Sequence, residues 1–161
     1  TISPNEPCFI INIFDIWCLN LVNQFSTKMT NKSKKILSEI SAGELLDKIS
    51  ILEIKLDKIK DKNSLEEINK EYKILKEVKN SNIKSTDKID LLSKEIKKVN
   101  INLWEIEDKI RIYETKKDFG QEFVDLARRV YFNNDKRAKI KSEINEILGS
   151  NIKEIKQYSN Y

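Results

Sequence analysis

At 161 residues, 39% hydrophobic and 35% charged, the chain has the composition of one domain with a single core and a heavily charged exterior. The absence of His excludes His-based acid–base chemistry, Ser-His-Asp and Cys-His catalysis and most zinc sites, and 3 Gly with 2 Pro disfavour a many-turned β fold. The net charge of +4 is not a basic patch: four of the 30 basic residues are Arg, the rest are Lys, and Asp and Glu alternate with them throughout, so no nucleic-acid face is expected.

The first 28 residues differ from the rest. The run from Cys8 to Phe25 is apolar but broken by Asn12, Asp15, Asn20 and Asn23. It has neither a basic leader nor a small-residue cleavage site, which argues against a signal peptide, and the central Asp15 argues against a membrane span. Cys8 and Cys18 are the only cysteines, which fits a reducing cytoplasmic compartment without a disulfide framework. The only Met is Met29. Residues 1–28 are therefore read as an upstream extension with Met29 as the native start. Residues 29–40 are read as a lead-in, 41–149 as a helical bundle and 150–161 as a polar tail.

Ser41-Ala-Gly-Glu44 is a capping box, in which Ser41 takes the N–H of Glu44 and Glu44 reaches back to Ser41. The first helix follows, with an apolar stripe at Leu45, Ile49, Leu52, Leu56 and Ile59 and a stop at Asp61–Asn63. A second capping box, Ser64 to Glu67, opens the second helix, whose stripe is Leu65, Ile68, Tyr72, Leu75 and Val78. The third helix is expected from about Thr86 to Thr115. Its seam is Ile89, Leu92, Ile96, Val99, Leu103, Ile106, Ile110 and Tyr113, a heptad-like alternation of the coiled-coil kind. After a tight turn the fourth helix runs from about Phe119 to Leu148, with Gly149 as its stop. Short loops imply antiparallel neighbours. The predicted fold is all-α, an antiparallel bundle of about four helices with a long hairpin of the third and fourth.

The pattern breaks in the fourth helix. On a heptad frame its layers are Phe123, Leu126, Ala127; Val130, Asn133, Asn134; Arg137, Ile140, Lys141; and Ile144, Ile147, Leu148. The outer layers are apolar and the middle two are polar, with Arg137 in a core register. Unpaired burial of a guanidinium is costly, so partners are required. The third helix carries a row at spacing seven, Asn100, Glu107 and Glu114, and a hairpin turning near Lys117 brings Asn100–Glu107 opposite Asn134–Arg137. The first helix adds Glu44, Lys48 and Lys55. Tyr131 and Asp135, four apart, lie beside the polar layers. The candidate ligand-binding set is Glu44, Lys48, Asn100, Glu107, Tyr131, Asn134, Asp135, Arg137 and Lys141. Three readings stay open: a ligand or catalytic pocket, a structural network that fixes register, or a phase shift at Asn133–Asp135 that turns Arg137 and Lys141 to the surface. No metal site and no cofactor is expected, and glycine-rich phosphate loops are absent.

Three stretches carry a family resemblance. They are AGELLDKISILEIK at 42–55, VNINLWEIEDKIR at 99–111 and the run 119–150 that contains VYFNNDKRAKIKSEIN. Together they resemble a family of small bacterial proteins known only as a domain of unknown function. Its motifs are GELLDKITILEIK, LWxIEDxIR and VYxxNDxRAxIKxxIN. The resemblance implies that members share Glu44, Asp47, Lys48, Glu53, Lys55, Asn100, Trp104, Glu107, Asp108, Arg111, Tyr131, Asn134, Asp135, Arg137, Lys141 and Asn145. It also implies proximity to glycosyltransferases of surface-polysaccharide biosynthesis. The family tail reads acidic-acidic-Lys-Ser-Tyr, whereas this chain has Glu154-Ile-Lys156-Gln-Tyr158.

The expected function is binding of a small anionic ligand, a sugar nucleotide or sugar phosphate, between the first, third and fourth helices, with a glycosyltransferase as partner. Arg137 and Lys141 hold the anion, and Asn134, Asn100 and Glu107 orient it. The alternatives are a mutase- or lyase-type enzyme using the same pocket, and a pure interaction module that forms a homodimer through the third helix.

Overall fold

A computed structural model describes residues 36–156. Among them it contains four helices: α1 (Ala42–Lys58), α2 (Lys62–Asn82), α3 (Asp87–Lys116) and α4 (Gln121–Leu148). The fold is all-α with four helices, as the periodicity predicts. The chain divides into two units, Thr1–Leu37 and Ser38–Tyr161, and all four helices belong to the second. The reading of residues 1–28 lies outside the described residues, as do 29–35 of the lead-in and 157–161 of the tail. Residues 36–40 are non-helical and exposed.

α1, α2 and α3 begin where a side chain takes an orphan N–H, whereas Gly120 before α4 offers no side-chain cap. Ser41 Oγ accepts from Glu44 N at 3.2 Å, and Thr86 Oγ1 accepts from Ile89 N at 3.3 Å. The second helix departs from expectation. Its N-cap is Asp61, whose Oδ2 accepts from Ser64 N at 2.8 Å, so α2 starts three residues before the predicted Ser64 box would have it. Asp61 is the better acceptor, because its carboxylate also complements the positive end of the helix dipole. The turn between α3 and α4 uses Lys117 in the left-handed region, and Gly149 ends α4 at φ 64°. There Ser150 N donates to Asn145 O at 2.9 Å.

α3 and α4 make the most extensive pairing, and α1 packs against all three other helices. The hairpin is antiparallel, since Lys88 pairs with Glu143 and Asn100 with Arg137. The core is a strip of Leu46, Ile89, Leu92, Ile96, Val99, Leu103, Ile140 and Ile144. Each side chain of this size contributes roughly 1.5–3 kcal/mol by leaving water. Six of the eight predicted α3 seam residues are buried, while Ile110 and Tyr113, nearer the turn, are half-buried. Two seam assignments need correction. Ile147 is exposed, and its place on the inner face of α4 belongs to Asn145; Val78 of α2 is also exposed. α2 touches the bundle mainly through α1, so among the described residues nothing packs over the far end of its stripe. No described helix is long and apolar enough to cross a membrane.

Candidate functional site

Arg137 and Lys141 are buried on α4, at 8% and 7% exposure. α4 runs unbroken through Asn133–Asp135, so the phase shift that would turn them outward does not occur. They share one face with Asn145, four residues further on, and that face meets the start of α1.

The approach of α1 is set by Gly43. A Cβ there would lie 2.5 Å from the Lys141 carbonyl oxygen and 2.9 Å from Asn145 Oδ1. Only a residue without a side chain lets the first turn of α1 rest on the α4 backbone. The same turn delivers its free N–H groups to α4 and the chain after it. Gly43 N donates to Asn145 Oδ1 at 2.7 Å, and Ala42 N donates to Ser150 Oγ at 3.1 Å. With Ser41 taking Glu44 N, three N–H groups of that turn are met by side-chain oxygens.

This docking places Glu44 and Asp47 over the two cations. Lys141 Nζ lies 2.6 Å from Glu44 Oε2 and 2.6 Å from Glu154 Oε2 of the tail, and Lys156 Nζ lies 3.3 Å from Glu154 Oε1. Glu44 thus serves Lys141, where the capping box had it reaching back to Ser41. Deeper in, Asn100 Nδ2 donates to Asp47 Oδ1 and to Ser50 Oγ, both at 2.7 Å. Ser50 Oγ donates to Asp47 O at 2.8 Å, and Arg137 Nη1 approaches Asn100 Oδ1 at 3.4 Å. Asn100, 2% exposed, is the junction of the three helices. Among the described residues, no buried side-chain nitrogen or oxygen lacks a partner.

The electrostatics follow from burial. Desolvation pushes the Asp47 carboxyl above its usual range, and the opposing pull of Arg137, Asn100 and Lys141 does not cancel it. Burial works against the charge on Lys141, yet hydrogen bonds to Glu154 and Glu44 and the charges of Glu44 and Asp47 raise it above an ordinary lysine. For Glu154 burial acts upward, and Lys141 and then Lys156 outweigh it, so its carboxyl is held below the usual range.

Of the nine predicted residues, Glu44, Asn100, Arg137 and Lys141 take part in the contacts just described. Lys48 turns to α2, where its Nζ lies 2.6 Å from Glu71. Glu107 is buried two turns along α3, 3.5 Å from Arg111 of the same helix. Glu114, the last of that row, is exposed and pairs with Lys117. Asn134 and Asp135 are half-buried, and Tyr131 is exposed with its ring against Phe132. The prediction missed Asp47, Ser50, Asn145, Ser150 and Glu154. Asp47 and Asn145 were legible as polar positions on helix faces that also carry core residues. Ser150 and Glu154 were not, because the path of a non-helical tail has no period to read. Among the described residues no three His, Cys, Asp or Glu side chains come together as a metal site.

Residues 36–161, most of the chain, match a family of unknown function, DUF6165. The chain belongs to the DUF6165 family. No curated protein and no solved structure matches it. The matched range takes in all four helices and the tail residue Glu154, so every side chain of the network lies within the DUF6165 domain.

Proposed function

We propose that this DUF6165 protein binds a small anionic ligand at the Arg137–Lys141 layer, with a sugar phosphate or sugar nucleotide as the ligand class. The observation that carries this reading is the seat at Lys141. Its ammonium, nearly closed off from solvent, is held on one side by Glu44 from a capped helix and on the other by a carboxylate from a non-helical tail. A cation with one fixed and one loosely attached carboxylate is arranged to take an oxyanion in place of the second. Arg137, one turn away, adds a permanent charge and a planar set of donors suited to phosphate or carboxylate. The low dielectric around both strengthens any such contact. An intracellular bacterial role as accessory to surface-polysaccharide glycosyltransferases is part of the proposal, supported by the family resemblance.

A second reading has Asp47 in its favour. A buried carboxyl with a raised proton affinity beside Arg137 is the arrangement a general acid or base needs, so an enzyme could use the same layer. Self-association through α3, the remaining reading, is favoured by the exposed Leu91 and Ile112 on that helix.

The test is thermal denaturation of wild type and Arg137→Met with a panel of sugar phosphates, sugar nucleotides and carboxylic acids. A ligand at 100 times its Kd stabilises by about 2.7 kcal/mol, which is readily seen as a shift in Tm. The expected result is that one class stabilises wild type and not Arg137→Met. A cooperative melt and unchanged far-UV circular dichroism of Arg137→Met are required before the ligand shifts are compared, since removing a buried cation is itself destabilising. A panel that moves neither protein, or moves both equally, contradicts the proposal.

A further inference from the structure

We infer that the C-terminal tail is a built-in competitor of that site: Glu154 occupies the anion position on Lys141, and an incoming oxyanion binds by displacing it. This rests on the anion-seat reading above and adds its regulation. Lys141 holds two carboxylates at the same distance, 2.6 Å, but they are anchored differently. Glu44 belongs to the first turn of α1, whose backbone is fixed to α4 by the Gly43, Asn145 and Ser150 contacts. Glu154 lies five residues beyond the α4 cap, in a stretch without helix, and its neighbours Ile152, Lys153 and Ile155 are exposed. Releasing Glu154 therefore frees a few solvent-facing residues, whereas releasing Glu44 would undo the α1–α4 junction.

The short tether gives Glu154 a high effective concentration at Lys141, which makes it the default occupant. Its own partner Lys156 leaves with it, so the exchange at Lys141 is one oxyanion for another. The chemistry that fits is a compact carboxylate or phosphomonoester. A bulky apolar ligand would find nothing to exchange with.

The test measures phosphate and succinate binding by calorimetry on the full chain, and tail order by amide hydrogen exchange. In Glu154→Gln the competitor loses its charge, and phosphate or succinate is expected to bind about tenfold tighter than to wild type, a difference of about 1.4 kcal/mol. The control Glu146→Gln removes the same charge from an exposed position on α4, and its affinity stays within about twofold, since exposed charges are well screened. Saturating phosphate speeds exchange at residues 151–156 of wild type, and Lys141→Met does the same with no ligand present. Three outcomes overturn the inference. Equal affinity of wild type and Glu154→Gln removes the competition and leaves the seat standing. Unchanged tail exchange in Lys141→Met shows that Lys141 does not hold the tail, whatever binds elsewhere. Absence of binding in both proteins, or binding to Glu154→Gln that survives Lys141→Met, removes the seat and the competitor together.

Discussion

At the scale of single residues, the network depends most on the one position that has no side chain. Gly43 lets α1 approach α4 closely enough for Glu44 and Asp47 to reach Lys141 and Arg137. Gly43→Ala puts a methyl 2.5 Å from a backbone carbonyl that has no rotamer by which to move away. The expected cost is about 1–3 kcal/mol, the usual range for overpacking, read as a lower midpoint in urea unfolding with an unchanged slope. An unaltered midpoint would mean that the junction is looser than described. Gly43 also shows where local sequence stops being informative. It lies within the Ser41–Glu44 capping box, which marks the start of the first helix. Its tighter constraint comes from a residue nearly a hundred positions away, and no local pattern encodes that approach. Arg137 was the opposite case. Its heptad position alone placed it in the core register, and the structure buries it there beside Asn100.

At the scale of elements, α1 is the hub, and Glu53 is its second tie besides the polar layer. Lys97 of α3 donates to Glu53 Oε2 at 2.7 Å, while Tyr72 and Lys76 of α2 lie 3.3 and 3.5 Å from Oε1. Burial pushes its carboxyl up, and the hydrogen bond and charge of Lys97, aided by Lys76 and Tyr72, hold it below the ordinary range. A carboxyl with a lowered folded-state pKa stabilises the fold above its unfolded value, and that contribution is lost as pH falls through the lowered one. Glu53→Gln should therefore cost about 1 kcal/mol at pH 7, discounted for its partly exposed partners, and the gap from wild type should close under acid. Chemical unfolding across pH checks this, and a gap that widens on acidification would reverse the sign of the argument. The elements themselves were largely readable. Four helices, their order and the α3–α4 hairpin follow from periodicity and caps. The errors lie at an end and at the margins, where two plausible caps compete, as at Asp61 and Ser64, or where a stripe runs past its cover, as at Val78 and Ile147.

At the scale of the whole molecule, three helices and a tail converge on one polar layer. Apolar replacement of a buried ion pair is often neutral or stabilising, so its presence in a DUF6165 domain calls for another reason. The proposed anion seat, with the tail as its resident occupant, supplies one. The composition of the chain makes this claim easy to mistest, because an anion can also gather weakly on the many surface lysines. The decisive measurement is therefore one that reports position. Backbone amide shifts of the isotope-labelled full chain are followed by NMR during titration with inorganic phosphate and then with whichever sugar phosphate stabilises it. Saturable shifts are expected, centred on Gly43, Glu44, Asn100, Arg137 and Lys141, together with sharpening of residues 151–156 as the tail is released. Shifts that grow without saturation and scatter over the exposed lysines of α2 and α3, with the Arg137–Lys141 layer silent, would contradict the anion seat.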